Sequence, residues 1–217
     1  MRVILIVVGT LIVLGVVFFW LIETLPSTTY TPNPAPTNTP ATKVLKVNET
    51  DPFKGPRTAP VTIIAAGSFT CPACRESATT LDQLLALYPD SVKLVWKDVP
   101  ESIGDSYRAA LAARCAQQQG RFWQYHDSLY AHQDLLATRA LYELWARELD
   151  LKEDIFARCL DGAETKSLID QNIGEALQAG IGEVPYFQIN DTPGITGAQS
   201  LGYFRGVVED ALTASQP

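Results

Sequence analysis

Two of the chain's four cysteines stand three positions apart, in Phe69-Thr70-Cys71-Pro72-Ala73-Cys74. A Cys-x-x-Cys pair can run thiol–disulfide chemistry, form half of a zinc site, or close a structural disulfide. Its setting favours the first. Residues 61–66 (Val-Thr-Ile-Ile-Ala-Ala) are an apolar run before the pair, and residues 75–87 are helix-like after it, so the thiols stand where a strand hands over to a helix. The first helical turn has unpaired N–H groups and the positive dipole end, which favour a thiolate. At such a position a cysteine pKa falls from about 8.5 into a range of roughly 3.5–7.5. Cys71, at the helix start, is therefore the expected nucleophile, and Cys74, one turn on, the buried resolving thiol. A zinc site wants a second pair or a His pair. Cys115 and Cys159 stand apart, and His126 and His132, six positions apart on one helical run, do not share a face. No metal and no cofactor is called for, because the two thiols are themselves the redox group.

The elements that must position this pair follow from periodicity. Residues 44–47 alternate and are expected to form a short first strand, and residues 51–60, rich in Pro and Gly, a loop. The run at 61–66 is continuously apolar, as in strands covered on both faces. Tyr88-Pro89-Asp90 stops the cysteine helix, and residues 92–99 form a further strand. From 105 to 178 the pattern is helical, with helices expected at 107–119, 122–132, 138–150, 153–159 and 163–178. Strand character returns at 186–189, a turn follows at 190–194, an edge strand at 195–197, and Ser200 caps a last helix to 212. Sheet elements divided by an all-helical block predict an α/β core, 43–104 and 179–217, carrying a helical insertion at 105–178. Trp123, Tyr125, Tyr142 and Trp145 lie at helical spacing and are expected in its core. Arg75 reads as a solvated helix charge beside the thiols.

Ahead of this domain, residues 3–22 are apolar except for Thr10 and two glycines. Twenty residues rising 1.5 Å each span about 30 Å, the thickness of a bilayer core. No small-residue cleavage pattern follows, so residues 1–25 read as an uncleaved transmembrane anchor rather than a removed signal peptide. Arg2 supports a cytoplasmic N-terminus, which puts the rest of the chain outside the cytoplasm, where disulfides persist. Residues 26–42 hold five prolines and six threonines and read as an extended linker. The net charge of −7 offers no basic stripe for phosphates and argues against nucleic acid. In that compartment Cys115 and Cys159 are expected to pair as a structural disulfide, the alternatives being two buried free thiols or an electron-relaying second pair.

Four stretches in order, Ala59-Pro60-Val61-Thr62-Ile63, Phe69 to Cys74, Cys115 to Trp123 and Gly182 to Ile189, resemble the DsbA-like thiol–disulfide oxidoreductases of the thioredoxin fold. The resemblance covers about Lys43 to the C-terminus. It implies a Val184–Pro185 cis bond facing the cysteine loop, with Pro72, Ala73, Val184 and Pro185 shaping the site around catalytic Cys71 and Cys74. Valine at 184 is similar to the oxidase branch, where isomerase-type relatives more often carry threonine. It further implies a monomer that passes disulfides to exported protein thiols and is reoxidised by a membrane quinone-linked partner of the DsbB or vitamin-K-epoxide-reductase type. Two departures stand out. Many members carry a buried acid where this chain has Ala65, and Pro72-Ala73 contains no histidine. A reductase or isomerase using the same cysteines, or a tethered chaperone or binding module with a structural Cys pair, are the alternative readings.

Overall fold

The structure, a computed structural model, describes residues 44–100 and 103–214. The expected anchor and nearly all of the linker lie outside the described residues, among which no helix is long and apolar enough to cross a membrane.

A five-stranded mixed sheet organises the domain. Its central strands, β2 (Val61–Gly67) and β3 (Val92–Asp98), run parallel, with Ile63 opposite Leu94 and Ala65 opposite Trp96. Both are buried at all but one position, because helices cover both faces and leave no room for polar alternation. β4 (Tyr186–Ile189) lies antiparallel to β2, while β1 (Phe53–Lys54) flanks β3 and β5 (Ile195–Thr196) flanks β4, giving the order β1-β3-β2-β4-β5. Successive strand residues face opposite sides. Ile63, Ala65, Trp96 and Phe187 enter one core with helices α1 (Pro72–Leu87) and α7 (Leu201–Ala214). Ile64, Ala66, Val95 and Tyr186 enter a second with Ala176 and Ala179 of helix α6 (Glu164–Ala179).

Between β3 and β4 run helices α2 (Asp105–Gln117), α3 (Phe122–Ala131), α4 (Arg139–Glu148), α5 (Glu153–Asp161) and α6, with a short 3-10 turn at Gln133–Leu135. Tyr125, Tyr142 and Trp145 are buried in this block, and Trp123 is half-buried, its indole N–H donating to the Phe53 carbonyl. Cys115 of α2 and Cys159 of α5 are joined by a disulfide, with Cα atoms 5.6 Å apart. At the seam of sheet and helices, Lys97 pairs with Asp51 and Glu175, each at 2.7 Å, and Arg114 pairs with Asp98. Asp51, Lys97, Asp98 and Arg114 are all buried.

The first strand differs from expectation. Residues 44–47 form none, because a side chain takes the place of a neighbouring strand. The buried Gln188 amide accepts from the Leu45 N–H at 2.7 Å and donates to the Leu45 carbonyl at 3.0 Å. The strand appears instead inside the expected loop, where Phe53 and Lys54 pair with Val95 and Leu94. Gly55 ends it at φ +97, against the Val92 carbonyl, where a Cβ would lie 2.4 Å from the oxygen.

Candidate active site

The handover from β2 to α1 builds the site. Pro72 opens α1, where its missing N–H costs nothing, and Cys71 is the N-cap, with extended backbone at φ −86, ψ 114. Its sulfur does what a serine or aspartate oxygen does at other helices: the Cys74 N–H donates to Cys71 Sγ at 3.1 Å. Cys71 is half-buried and Cys74 only 3% exposed. The two sulfurs are joined. Pro72 is exposed at the rim, with Ala73 half-buried beside it.

The opposite wall comes from the chain just before β4. The Val184–Pro185 bond is cis, and the Val184 carbonyl oxygen lies 3.6 Å from Cys71 Sγ. The Pro185 carbonyl accepts from the Gly197 N–H at 2.7 Å, which ties this wall to the end of β5. Segments more than 100 residues apart in sequence thus meet at one sulfur.

The helical insertion supplies a third wall that the sequence does not announce. Gln133 donates its side-chain amide to the Phe69 carbonyl at 2.8 Å and to the Cys71 carbonyl at 2.9 Å. The Tyr130 hydroxyl reaches the Ser68 carbonyl at 3.4 Å. Burial pushes the Tyr130 phenol well above its ordinary 10.0, with Asp98 and Asp127 adding to the effect, so it stays protonated as a donor. Nothing in the spacing of Tyr130 or Gln133 marks them; only the docking of the insertion onto the loop does.

Beneath Cys74 is a small cavity of about 20 Å³, lined among others by Ala65, Cys74, Trp96, His126, Pro185 and Phe187. His126 is 4% exposed and sits among aromatic rings, with centroids 5.0 Å from Trp96, 5.1 Å from Trp123 and 4.8 Å from Tyr130. His132 is elsewhere, its ring stacked on Trp145. Arg75 is directed to Asp134 at 3.9 Å across half-exposed surface. Cys115 and Cys159 do not line the cavity.

A family model described as thioredoxin matches residues 47–210. The chain belongs to the thioredoxin family. Among solved structures, it is similar to a thioredoxin-like oxidoreductase from Silicibacter pomeroyi DSS-3, with 25% identity and a TM-score of 0.69 over 76% of this chain and 94% of that one. It is also similar to alpha-DsbA1 from Wolbachia pipientis, with 20% identity and a TM-score of 0.70 over 79% and 95%. Curated relatives include Na(+)/H(+) antiporter NhaA 3 from Salinispora tropica, 37% identical over 142 residues, or 64% of this chain. The chain spans only 22% of that protein's length. This member of the thioredoxin family therefore has a DsbA-like oxidoreductase fold with a Cys-x-x-Cys pair at the head of its first helix.

Proposed function

We propose that the chain is an extracytoplasmic thiol–disulfide oxidoreductase that donates disulfides to exported proteins through Cys71 and Cys74. The observation that carries this reading is the asymmetry of the two sulfurs. Cys71 is reachable and already accepts a backbone N–H, while Cys74 is buried directly behind it. A substrate thiolate attacks Cys71 Sγ, the Cys71–Cys74 bond breaks, and Cys74 leaves as a thiolate. The second substrate thiolate then attacks the substrate sulfur of the mixed disulfide and expels Cys71, so two electrons pass from substrate to enzyme. The N–H and the helix dipole at Cys71 stabilise its thiolate as a leaving group, which favours donation. Pro72, Ala73, Val184 and Pro185 shape the surface on which the substrate backbone would lie.

The apolar segment 3–22 anchors the domain to a membrane in this reading, and the linker 26–42 holds it off the surface, within reach of a quinone-linked membrane partner of the DsbB or vitamin-K-epoxide-reductase type. The periplasmic thioredoxin-like protein of Salmonella enterica serovar Typhimurium, a structural neighbour at 20% identity, has the same fold and is compatible with that compartment. Ion transport is not carried over from the antiporter relatives, of which the chain spans so small a part. The test is the reduction potential of the Cys71–Cys74 pair, equilibrated with glutathione. A value near about −120 mV is expected of a disulfide donor, whereas one near about −270 mV matches thioredoxin and makes the protein a reductase.

A further inference from the structure

We propose that His126 is the proton acceptor and donor for the Cys74 thiol, working across the cavity beneath the cysteine pair. The inference rests on thiol–disulfide exchange at Cys71–Cys74. Each cycle makes Cys74 a thiolate, by bond cleavage in one direction or deprotonation before attack in the other. A thiolate at a site 3% exposed is poorly solvated, and burial in apolar surroundings disfavours it. Its proton therefore needs a nearby acceptor that does not depend on bulk water.

Among the described residues, the cavity wall offers two titratable side chains besides Cys74: Asp82 and His126. Asp82 is half exposed and is held by Lys54 at 2.6 Å. His126 is buried, and its Nδ1 lies 2.8 Å from Asp127 Oδ1, while the Asp127 side chain is 52% exposed. An ionised carboxylate only accepts, so neutral His126 donates from Nδ1 and keeps Nε2 as a free lone pair. Together these groups form a line from the buried sulfur to solvent: Cys74, cavity, His126, Asp127. The cavity volume of about 20 Å³ admits one water molecule, enough to carry a proton from Sγ to Nε2. The other groups around the ring fit this role. On its own helix, Tyr130 is held protonated by burial. From β3, Asp98 is committed to Arg114 and to the Trp96 indole N–H. From β1, Lys54 lies over the Trp123 ring. β2 contributes only Ala65, Ala66 and Gly67 to the cavity.

The step balances. When Cys74 closes the disulfide on a Cys71 mixed disulfide, its S–H proton passes to His126 Nε2. The Cys74–Cys71 bond then forms, the bond from Cys71 to the outgoing thiol breaks, that thiolate leaves with the electron pair, and His126 returns its proton to solvent past Asp127. In the donating direction the Cys74 thiolate takes a proton from His126 instead.

The test uses the full chain in mild detergent, reduced at Cys71–Cys74 and mixed with the disulfide of nitrothiobenzoate. Cys71 takes one nitrothiobenzoate, and the closing attack by Cys74 releases it with a colour change. With no built-in base, closing follows the thiolate fraction and rises roughly tenfold per pH unit below the thiol pKa. General-base help flattens this slope. The expected result, between about pH 6 and 8, is a shallow slope in the wild type and a full tenfold slope in His126→Asn, whose amide keeps the bond to Asp127. His126→Asn should also close about tenfold or more slowly near neutrality, converging with wild type at alkaline pH. Should His126→Asn fail to fold, by circular dichroism, Asp127→Asn decides the matter: it too must steepen the slope. Matching slopes in wild type and variant overturn the proposal while leaving exchange itself intact. So does a steepened slope in Asp82→Asn with none in His126→Asn. A wild type that never releases the second nitrothiobenzoate overturns both this proposal and the oxidoreductase reading.

Discussion

Removing the Cys115–Cys159 disulfide by Cys115→Ala with Cys159→Ala tests how the helical insertion is held. The double change avoids leaving one thiol free to form bonds between molecules. The bond spans a sequence separation of 44, and in the chain-entropy account closing such a loop stabilises the fold by about 4 kcal/mol at 25 °C. Little else is lost, since the one polar neighbour of Cys159 Sγ is Thr165 Oγ1 at 3.2 Å. A domain with about 5–15 kcal/mol of stability stays folded after this loss. At about 2–4 °C per kcal/mol for a chain of this size, Tm should fall by about 8–16 °C, followed by far-ultraviolet circular dichroism. Because the bond acts on the unfolded chain, the urea m-value should rise as that chain expands. A fall in Tm of less than about 3 °C with an unchanged m-value would refute the loop-closure argument. Exchange at Cys71 should persist at temperatures where the variant is folded, since neither cysteine lines the cavity.

The remaining predictions address the redox pair and the buried charges. Cys71→Ser should abolish exchange with a thiol substrate, whereas Cys74→Ser should accumulate a mixed disulfide with substrate at Cys71, resolved by non-reducing electrophoresis; equal behaviour of the two variants would contradict the assigned order of attack. Arg114→Met should cost about 3–5 kcal/mol in urea unfolding, because it strands the buried Asp98 carboxylate. Adding Asp98→Leu should recover part of that loss, the remainder reflecting the Trp96 indole N–H left without its acceptor. Glu175 is opposed by its own burial, but Lys97, Gln171 and Asn48 outweigh this and hold it below its ordinary 4.5. A carboxylate with a lowered folded-state pKa adds stability above its unfolded pKa and loses it as pH falls through the folded value. Glu175→Gln should therefore lower Tm at neutral pH, with the gap to wild type closing below pH 4.5; a gap that persists in acid would refute the ionic account.

What the sequence disclosed and what it withheld divide along one physical line. Strands β2 and β3, helix α1 and the run of insertion helices are written in local periodicity. Their expected and observed extents differ by only a few residues, as at Asp105–Gln117 against 107–119. The handover that places Cys71 at a helix start is equally local, since Pro72 and the preceding apolar run suffice to indicate it. Two features depended on pairing across the fold and could not be read this way. The strand expected at 44–47 is satisfied by Gln188, about 140 residues away, and β1 exists only because Phe53 and Lys54 find Val95 and Leu94. His126 reads along the chain as a surface or satisfied core residue. Its place on the cavity wall with Cys74 requires α3 to dock against β3 and α1, which no spacing encodes.

The insertion is thus part of the site as well as an addition to the core. Backbone carbonyls in the loop before α1 have no strand or helix partner of their own, and an unpaired buried carbonyl costs free energy. Gln133 donates to two of them, at Phe69 and Cys71, and Tyr130 to a third, at Ser68. Those contacts fix the loop that carries the Cys71 N-cap, and with it the short N–H contact from Cys74 to the sulfur. The same helix, α3, brings His126 to the cavity where β2 offers only Ala65. In this chain the sheet and first helix place the sulfurs, while the inserted helices hold the loop around them and bring the one buried imidazole to the resolving thiol.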